Sequence, residues 1–382
     1  MKFFEWYKAH IKSWCNNPEE WAIKQAKELT KLDFIFKHVA LMPDTHQWYL
    51  MPIWWVIATK LVIIPNAVGV DIWCWMRSIK TSLKYISEDD LKKIMWTIRD
   101  LVPVWFKKHK EPLMLTEELT RYAWKIWKEQ MENAWTSLWT LWGWNHFIEI
   151  QKWSDWHIWI MIHTWSRNLW KQIADYYHKK ATELNTLRNS STIKDCWFLP
   201  LETRLWKQYM AEMQYAVQYA KLNRKTIATA VKSSFIATLW EMEFAEDIDV
   251  AHNYARMENH YWQNVLIHRK WATSAKEGEI GIIPWSQGTK SYLVIGKWNK
   301  ESYNSCSHWA GRKMSRTQAK KNLSLEDEIK ILDKQWIIHW IKSKDDLDEA
   351  PSSYKDIDIV MEEQKDLVEI RVEFTPLAVI KW

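Results

Sequence analysis

Apolar residues recur at helical spacing in three stretches of the chain and form short strand-like runs in five others. The helical spacing predicts helices over residues 18–32, 202–222 and 324–335. Apolar and β-branched runs predict strands over residues 34–42, 55–64, 157–163, 280–295 and 366–381. Predicted helices and strands alternate along the chain, with no low-complexity linker and no internal repeat between them. The pattern therefore predicts one large α/β (α+β) domain over residues 1–382 with long functional loops, in which residues 108–140 could form a helical insertion.

The balance of tryptophan and glycine is anomalous. The chain has 32 Trp and 7 Gly, whereas average usage is about 7% Gly, or roughly 27 residues at this length. Many Trp stand beside Pro, Asn or Ser in turn-like contexts, as in IPWSQGT (283–289) and SHWAGR (307–312), where turn chemistry favours Gly. One interpretation is a Trp-rich binding surface. The favoured interpretation is that glycine codons UGA, which some bacterial lineages read as Gly and others as Trp, have been translated as Trp; which Trp are genuine stays open.

Composition excludes two broad classes. With 47% hydrophobic and 26% charged residues the chain is not intrinsically disordered, and no uncharged apolar run is long enough to span a membrane. A net charge of +6 permits a polyanionic partner without requiring one. The four cysteines form no C-x-x-C pair, and the first residues are too polar for a secretory signal. We therefore expect a reduced, cytoplasmic protein.

Asp71 and Cys74 form the first candidate site. They stand three residues apart in VGVDIWCWMR (68–77), a segment without amphipathic periodicity. A carboxylate and a thiolate on one tight turn can bind the same cation, and this pair suits a borderline metal such as Mn, Zn or Co. On the residues alone, a buried structural cysteine is the more common explanation.

Several histidines lie in polar, loop-like settings. They are His146 within NHFIE (145–149), His163 at the end of an apolar run, and His252 before Asn253. Each alone is more often a packed or surface histidine than a ligand, and their long spacing matches no local metal motif.

Two loops could act on phosphate. His308, in SCSHWAGR (305–312), could attack phosphorus as a neutral imidazole, although surface hydrogen bonding explains it equally well on local grounds. The loop Pro284–Thr289 could bind phosphate through its backbone N–H groups if Trp285 is Gly, which is weak evidence by itself.

Taken together, these segments closely resemble the RtcB family of RNA-splicing ligases. With Trp replaced by Gly, they become the family's PIGG, DIGCGMR, GGGNHF, HTGSRNLG, HRKGAT, PGSQGT, SHGAGR and IKG motifs, in the same order from about residue 38 to the end. The match is weaker over 78–135 and 171–200. The resemblance implies a single RtcB-like catalytic domain with mixed sheets and long active-site loops. Many independent motifs in one order also strengthen the glycine interpretation.

The resemblance also implies a set of site residues. Two Mn²⁺ ions would be bound by Asp71, Cys74, His146, His163 and His252, with Cys74 bridging, Asp71 and His146 completing one ion, and His163 and His252 the other. His308 would be the nucleophile that takes GMP from GTP. The implied guanylate-binding positions are Asn145, His146, Phe147, Ile148, Glu149, His252, Asn253, Pro284, Trp285, Ser286, Gln287, Ser291, His308, Trp309, Ala310, Gly311 and Lys381. A literal Trp285 or Trp309 would block the nucleotide pocket, so the functional expectation concerns the glycine form.

The implied activity is GTP- and Mn-dependent joining of RNA 2′,3′-cyclic phosphate or 3′-phosphate ends to 5′-hydroxyl ends, in tRNA splicing or RNA repair. Arg167, Arg269, Lys270, Arg312 and Arg316 are candidates to bind RNA phosphates, and equally candidates for structural ion pairs. The partners expected are RNA ends and GTP, with no membrane; a monomer is favoured, and the need for an archease-type activator stays open. The alternatives are a metal-dependent cyclic phosphodiesterase without ligation and a non-catalytic Trp-rich binding protein.

Overall fold

The chain folds around one large mixed sheet, as the sequence predicts. The computed structural model describes residues 1–4, 8–46, 53–69, 74–104, 107, 109, 125–141, 146–164, 168–309 and 311–381. The strands are β1 (Lys2–Phe4), β2 (His10–Ser13), β3 (Ile35–His46), β4 (Ile53–Thr59), β5 (Val62–Ile63), β6 (Cys74–Thr81), β7 (Phe147–Trp153), β8 (Ile158–Thr164), β9 (Leu199–Pro200), β10 (Phe244–His260), β11 (Gln263–Ser274), β12 (Ile280–Ile283), β13 (Ser291–Gly296), β14 (Ser305–Ser307) and β15 (Val368–Ile380).

Thirteen of the described strands form the main sheet. Its order is β1-β2-β3-β4-β11-β10-β6-β8-β7-β15-β13-β12, with β14 added on β11, while β5 and β9 pair separately. Within the described residues, β2 and β3 are the parallel pair and the other ladders are antiparallel. Strand β15 lies between β7 and β13, so the end of the described chain is inside the sheet and not at its edge.

Helices pack on both faces of this sheet. They are α1 (Glu20–Leu29), α2 (Pro65–Val68), α3 (Glu88–Leu101), α4 (Lys125–Ser137), α5 (Asn168–Leu187), α6 (Arg204–Leu239), α7 (Arg316–Asn322), α8 (Leu325–Lys334) and α9 (Ile357–Glu363), with 3₁₀ turns at Lys300–Ser302, Lys344–Glu349 and Pro351–Ser353. Ser87 and Thr203 cap α3 and α6, because each hydroxyl accepts a hydrogen bond from a backbone N–H in the first turn. None of the described helices combines the length and the apolarity needed to cross a membrane.

Side-chain alternation along the strands divides the core into two layers. Ile79, Ile148 and Ile160 lie in one buried cluster with residues of α3 and α6. Met76, Phe147 and Met161 belong to a different cluster on the opposite side, which we call the interior face. The candidate functional histidines lie on the interior face.

Most predicted elements are confirmed, with differences that have physical causes. Helices α1 and α8 and strands β3, β8 and β15 lie where the pattern predicts them. The predicted helix 202–222 continues to Leu239, because the polar residues Asn223 and Arg224 are buried with hydrogen-bond partners and do not end it. The long β10–β11 hairpin was not predicted.

Two predicted strands are interrupted, and one predicted insertion is only partly described. Strand 55–64 breaks at Leu61, which has a φ of 59°, and 280–295 splits into β12 and β13 around a loop. Helix α4 falls within 108–140, but residues 108 and 110–124 lie outside the described part of the chain, so the helical insertion stays a prediction.

Among the residues that the structure describes, seven tryptophans have positive φ, between 56° and 71°: Trp139, Trp156, Trp240, Trp262, Trp271, Trp298 and Trp336. Trp240 follows the end of α6, where Gly commonly ends a helix. Tyr261 and Trp262 form the two-residue turn between β10 and β11, and both have positive φ, at 50° and 61°. A turn of this kind strongly prefers Gly at its second position.

Candidate active site

Neighbouring strands bring distant histidines together on the interior face. His163 is the penultimate residue of β8, two positions after Met161, and lies opposite Met76 of β6. His252 lies opposite Cys74, the first residue of the same β6. His146 directly precedes β7, and His308 directly follows β14. Asp71, the remaining predicted metal ligand, lies outside the described residues, as do the predicted guanylate contacts Asn145 and Ala310.

The four imidazoles form one buried cluster. The ring centre of His163 lies 5.1 Å from that of His146 and 5.4 Å from that of His252. The ring of His308 stacks on His252 with centres 3.3 Å apart. One potential ligand atom from each of His163, His252 and His308 lies within 4.8 Å of the others. The structure thus groups two predicted metal ligands with the predicted nucleophile.

Burial keeps the imidazoles of His252 and His308 neutral. It lowers the pKa of His308 to about 3, an effect that the Ile282 backbone carbonyl partly opposes. Burial, together with the neighbouring His308 and His163, holds the pKa of His252 well below its usual range. Within the described chain, the ring nitrogens of His252 and His308 have no hydrogen-bond partner of good geometry. Neutral imidazoles with free lone pairs suit a divalent metal such as Mn²⁺, or a nucleophilic role.

Strand β14, which directly precedes His308, is fixed by hydrogen bonds to three residues. The Ser307 hydroxyl donates to Asp44 Oδ1 at 2.8 Å, and the Ser307 N–H donates to Gln364 Oε1 at 3.0 Å. Arg269 Nε donates to the Ser305 hydroxyl at 2.9 Å. Sequence reasoning singled out neither Asp44 nor Gln364. The signal for Asp44 is its position in PDTH (43–46), a polar run within the buried strand β3.

Several predicted guanylate contacts line the interior face. Glu149 is buried on β7, and burial raises the pKa of its carboxyl to about 8. The Ser291 hydroxyl accepts the Trp285 N–H at 3.2 Å, which fixes the start of the loop at 284–290. Phe147 packs 5.5 Å from the His163 ring, centre to centre. Ile148 instead packs toward the helices, on the face opposite the histidine cluster.

The loops beside His308 depend on small residues or positive φ. Gly311 has a φ of 66°, and a Cβ there would lie 2.6 Å from the Asp44 carbonyl oxygen. Asn253 also has positive φ, and its side chain accepts the Trp271 N–H. The indole of Trp309 lies 5.1 Å from the His163 ring and 5.9 Å from the His308 ring, centre to centre. It therefore occupies space next to the predicted nucleophile.

Two further predicted guanylate contacts, Gln287 and Lys381, both bond to Glu349, a residue that the sequence analysis did not select. The Lys381 ammonium lies 3.2 Å from Glu349 Oε2, and Gln287 Nε2 donates to the Glu349 carbonyl at 3.3 Å. All three residues line one cavity. Ser286 lies nearby along the loop, where its hydroxyl is 2.8 Å from that of Thr289.

The candidate RNA-binding Arg and Lys side chains differ in how far they are buried. Arg269 is fully buried and paired with Glu258, and Arg312 is buried against Glu349. For these two the structure favours the ion-pair alternative over RNA contact. Lys270 is buried with its ammonium 3.4 Å from the Asn66 carbonyl, whereas Arg316 is partly exposed. Arg167 lies outside the described residues.

Comparison with known proteins identifies the family of this chain. The family model described as tRNA-splicing ligase RtcB matches residues 25–125 and 120–382. The chain belongs to the RtcB family. It is 35% identical over 398 aligned residues to the RNA-splicing ligase RtcB of Escherichia coli K12, with 95% of each chain covered. It is 29% identical over 442 aligned residues to the tRNA-splicing ligase RtcB of Nanoarchaeum equitans, covering 95% of this chain and 92% of the relative. The predicted RtcB resemblance and the predicted mixed α/β fold are therefore confirmed.

Proposed function

We propose that this RtcB family protein is a GTP-dependent RNA ligase. It joins RNA 2′,3′-cyclic phosphate or 3′-phosphate ends to 5′-hydroxyl ends in tRNA splicing or RNA repair. The observation that carries the proposal is a neutral, fully buried His308 stacked on His252 within a histidine cluster. The names of the relatives, which are RNA-splicing or tRNA-splicing ligases, support it.

His308 is the nucleophile of the proposed reaction. A ring nitrogen of neutral His308 attacks the α-phosphorus of GTP, a P–N bond forms, and pyrophosphate leaves. An RNA 2′,3′-cyclic phosphate is first opened by water to a 3′-phosphate. An oxygen of this 3′-phosphate then attacks the GMP phosphorus and releases the imidazole. Finally, the 5′-hydroxyl of the other RNA end attacks the activated 3′-phosphate, and GMP leaves.

The proposed metal ligands are Asp71, Cys74, His146, His163 and His252, binding two Mn²⁺. The buried His252, whose ring nitrogens have no hydrogen-bond partner in the described chain, fits a borderline metal. When bound, the ions would neutralise phosphate charge and orient the attacking group. His163 on β8 and His252 on β10 lie on either side of β6, opposite Met76 and Cys74 of that strand.

We further propose that the active chain has glycine at most of the positions written Trp. The support is structural as well as compositional, because seven Trp of the described chain stand at positive φ and the Trp309 ring centre lies 5.1 Å from that of His163 and 6.0 Å from that of Phe147. Glycine at 285 and 309 would open the space next to His308 for a nucleotide. The proposed enzyme acts as a cytoplasmic monomer on RNA ends, which it binds mainly through phosphate contacts; an archease-type activator could add to its activity.

The proposal is tested by following the covalent adduct. The glycine form of the chain is incubated with Mn²⁺ and GTP labelled at the α-phosphate, and labelled protein is counted after denaturation. We expect a stable adduct in the wild type, none in His308→Ala, and unchanged Mn²⁺ affinity in the variant by titration. Label retained by His308→Ala would contradict the nucleophile. Opening of cyclic phosphates without any need for GTP would instead indicate a phosphodiesterase.

A further inference from the structure

Glu349 lies at the centre of a buried cluster of cations. Its side chain is 1% exposed, in the 3₁₀ turn Lys344–Glu349. Oε1 lies 3.3 Å from Arg312 Nη1 and 3.2 Å from Arg316 Nε. Oε2 lies 3.2 Å from the Lys381 ammonium and accepts the Tyr354 hydroxyl. One carboxylate thus contacts three cations from two separate segments.

The charges around Glu349 keep it ionised. Burial alone would raise the pKa of its carboxyl, but Lys381, Arg316 and Arg312 hold that pKa at about 2. The adjacent Asp348 is the other acidic group in contact, with Oδ2 at 4.0 Å from Arg316 Nε. Burial raises the pKa of Asp348. Asp346 lines the same cavity as Glu349 and Lys381. Glu349 is thus an ionised carboxylate that holds three cations in place.

Glu349 also joins the segments that the proposed function assigns to guanylate binding. Its carbonyl accepts Gln287 Nε2 from the loop after β12. Arg312 directly follows the loop 308–311, and Lys381 directly follows β15. These segments are far apart in sequence. Among the described residues, Glu349 contacts all three of them by hydrogen bonds or ion pairs.

We propose that Glu349 is a positioning residue for nucleotide binding, which fixes the Lys381 ammonium and the Arg312 guanidinium at the guanylate pocket before GTP arrives. A free lysine side chain would lose rotational entropy on contacting the nucleotide. An ion pair that already orders it removes part of that loss, which favours binding. The inference rests on the proposed function, because it assigns to Lys381 a contact with guanylate.

The test is the GTP dependence of adduct formation in the Mn²⁺-loaded glycine form. Glu349→Gln keeps the size of the side chain and removes its charge, and Glu349→Asp keeps the charge but shortens the reach. Asp345→Asn is the matched control, since Asp345 lies in the same 3₁₀ turn but pairs with Lys320 in a 90% exposed position. Thermal unfolding establishes that each variant is folded.

We expect Glu349→Gln to raise the GTP concentration for half-maximal adduct formation about tenfold, the size of one charge-assisted hydrogen bond. The maximal rate should change much less, because His308 is untouched. Glu349→Asp should restore part of the affinity, and Asp345→Asn should match the wild type. A purely structural role would instead lower the folded fraction without changing the half-saturating GTP concentration.

Unchanged half-saturation in folded Glu349→Gln would overturn the inference and leave the proposed function intact. A wild type that forms no adduct would overturn the proposed function itself, and the inference with it. If Glu349→Gln does not fold, Glu349→Asp decides: an unchanged half-saturating GTP concentration in that variant overturns the inference.

Discussion

Trp262 occupies a backbone conformation that an L-residue with a Cβ adopts only at a cost. It is the second residue of the β10–β11 turn, with a φ of 61°, and its side chain is 91% exposed. The indole therefore gains little by burial to offset the strain. Glycine at this position would adopt the same φ freely.

We predict that Trp262→Gly raises the free energy of unfolding by about 1 kcal/mol, because it removes the left-handed strain. Trp262→Ala is the matched control: it removes the same indole but keeps a Cβ, and should give little of the gain. Urea unfolding of both variants measures the difference. Equal stabilisation by Ala and Gly would show that the exposed indole, not the backbone, sets the effect.

The contacts and backbone conformations of individual Trp residues give predictions about their codons, which the sequence alone did not. Trp14 is buried, and its indole N–H donates to the Asp366 carboxylate at 3.0 Å. We predict that the gene has UGG at codon 14 and UGA at codons 139, 156, 240, 262, 271, 298 and 336. Sequencing the gene, together with peptide masses of the native protein, checks each position. UGG at most of those seven codons would refute the glycine interpretation.

At the scale of elements, helix α6 holds the segments that lead into and out of the histidine cluster. Asn223 Oδ1 accepts the Trp139 N–H at 2.7 Å and the Thr140 N–H at 3.3 Å. Its Nδ2 donates to the Thr140 carbonyl at 3.3 Å and lies 3.4 Å from the Thr164 hydroxyl. Thr140 precedes His146, and Thr164 follows His163. One buried amide thus ties both segments to the helix.

We predict that Asn223→Ala lowers the free energy of unfolding by about 2 kcal/mol, because buried backbone groups lose their partners. Thr229→Ala on the same helix is the control. Its hydroxyl bonds within the helix to the Lys225 carbonyl in an exposed position, so its loss should cost less than about 0.5 kcal/mol. Denaturant unfolding compares the two. Equal losses would mean that the Asn223 bonds add nothing to stability.

Helices and strands with a clear periodic spacing of apolar residues were predictable from the sequence. Elements whose extent depends on contacts with distant residues were not. Strand β8 shows as an apolar run, whereas β10 carries charged and polar residues such as Glu246, Asp247 and Asp249, which gain partners only in the fold. The extent of α6 depends on Asn223 and Arg224, whose burial no local pattern reveals. The loop at 284–290 interrupts an otherwise continuous β pattern, because it turns away to approach Ser291 and Glu349.

The site, too, could be predicted from the sequence only in part. Motif resemblance selected His146, His163, His252 and His308, which the structure brings together. Asp44 and Glu349 were missed, because their importance comes from contacts outside their own segments: Asp44 bonds to Ser307, 263 positions away, and Glu349 pairs with Lys381, 32 positions away. A buried acidic residue has no sequence pattern of its own; its partners become visible only when strands and turns are assembled.

At the scale of the whole molecule, buried neutral histidines should make the protein sensitive to acid. Burial, with help from neighbouring Lys12, lowers the pKa of His38 to about 2. Burial lowers the pKa of His268 to about 3, although its bond to the Leu266 carbonyl opposes this. In the unfolded chain these histidines take up protons below a pH of about 6.5, whereas in the folded chain they stay neutral. The free energy of unfolding therefore decreases as the pH falls.

We predict a loss of about 2 kcal/mol per such histidine between pH 7 and pH 5. His268→Gln should reduce the loss by that amount, because Gln can still accept the Ile64 N–H, which His268 Nε2 accepts at 3.1 Å, without titrating. Denaturant unfolding at the two pH values measures it. Parallel pH curves for the wild type and His268→Gln would contradict the assignment.

The position of β15 inside the sheet has a consequence for synthesis of the chain. Ile380 of β15 pairs with Ile148 of β7, and Phe374 with Ser291 of β13. On the ribosome, at about 5–20 residues per second, β7 waits on the order of ten seconds or more for its partner. A nascent chain that stops between β13 and β15 leaves two strand edges open to aggregation. If codon 139 is UGA, a host that reads UGA as a stop would release a fragment that ends before β7 and lacks most strands of the main sheet.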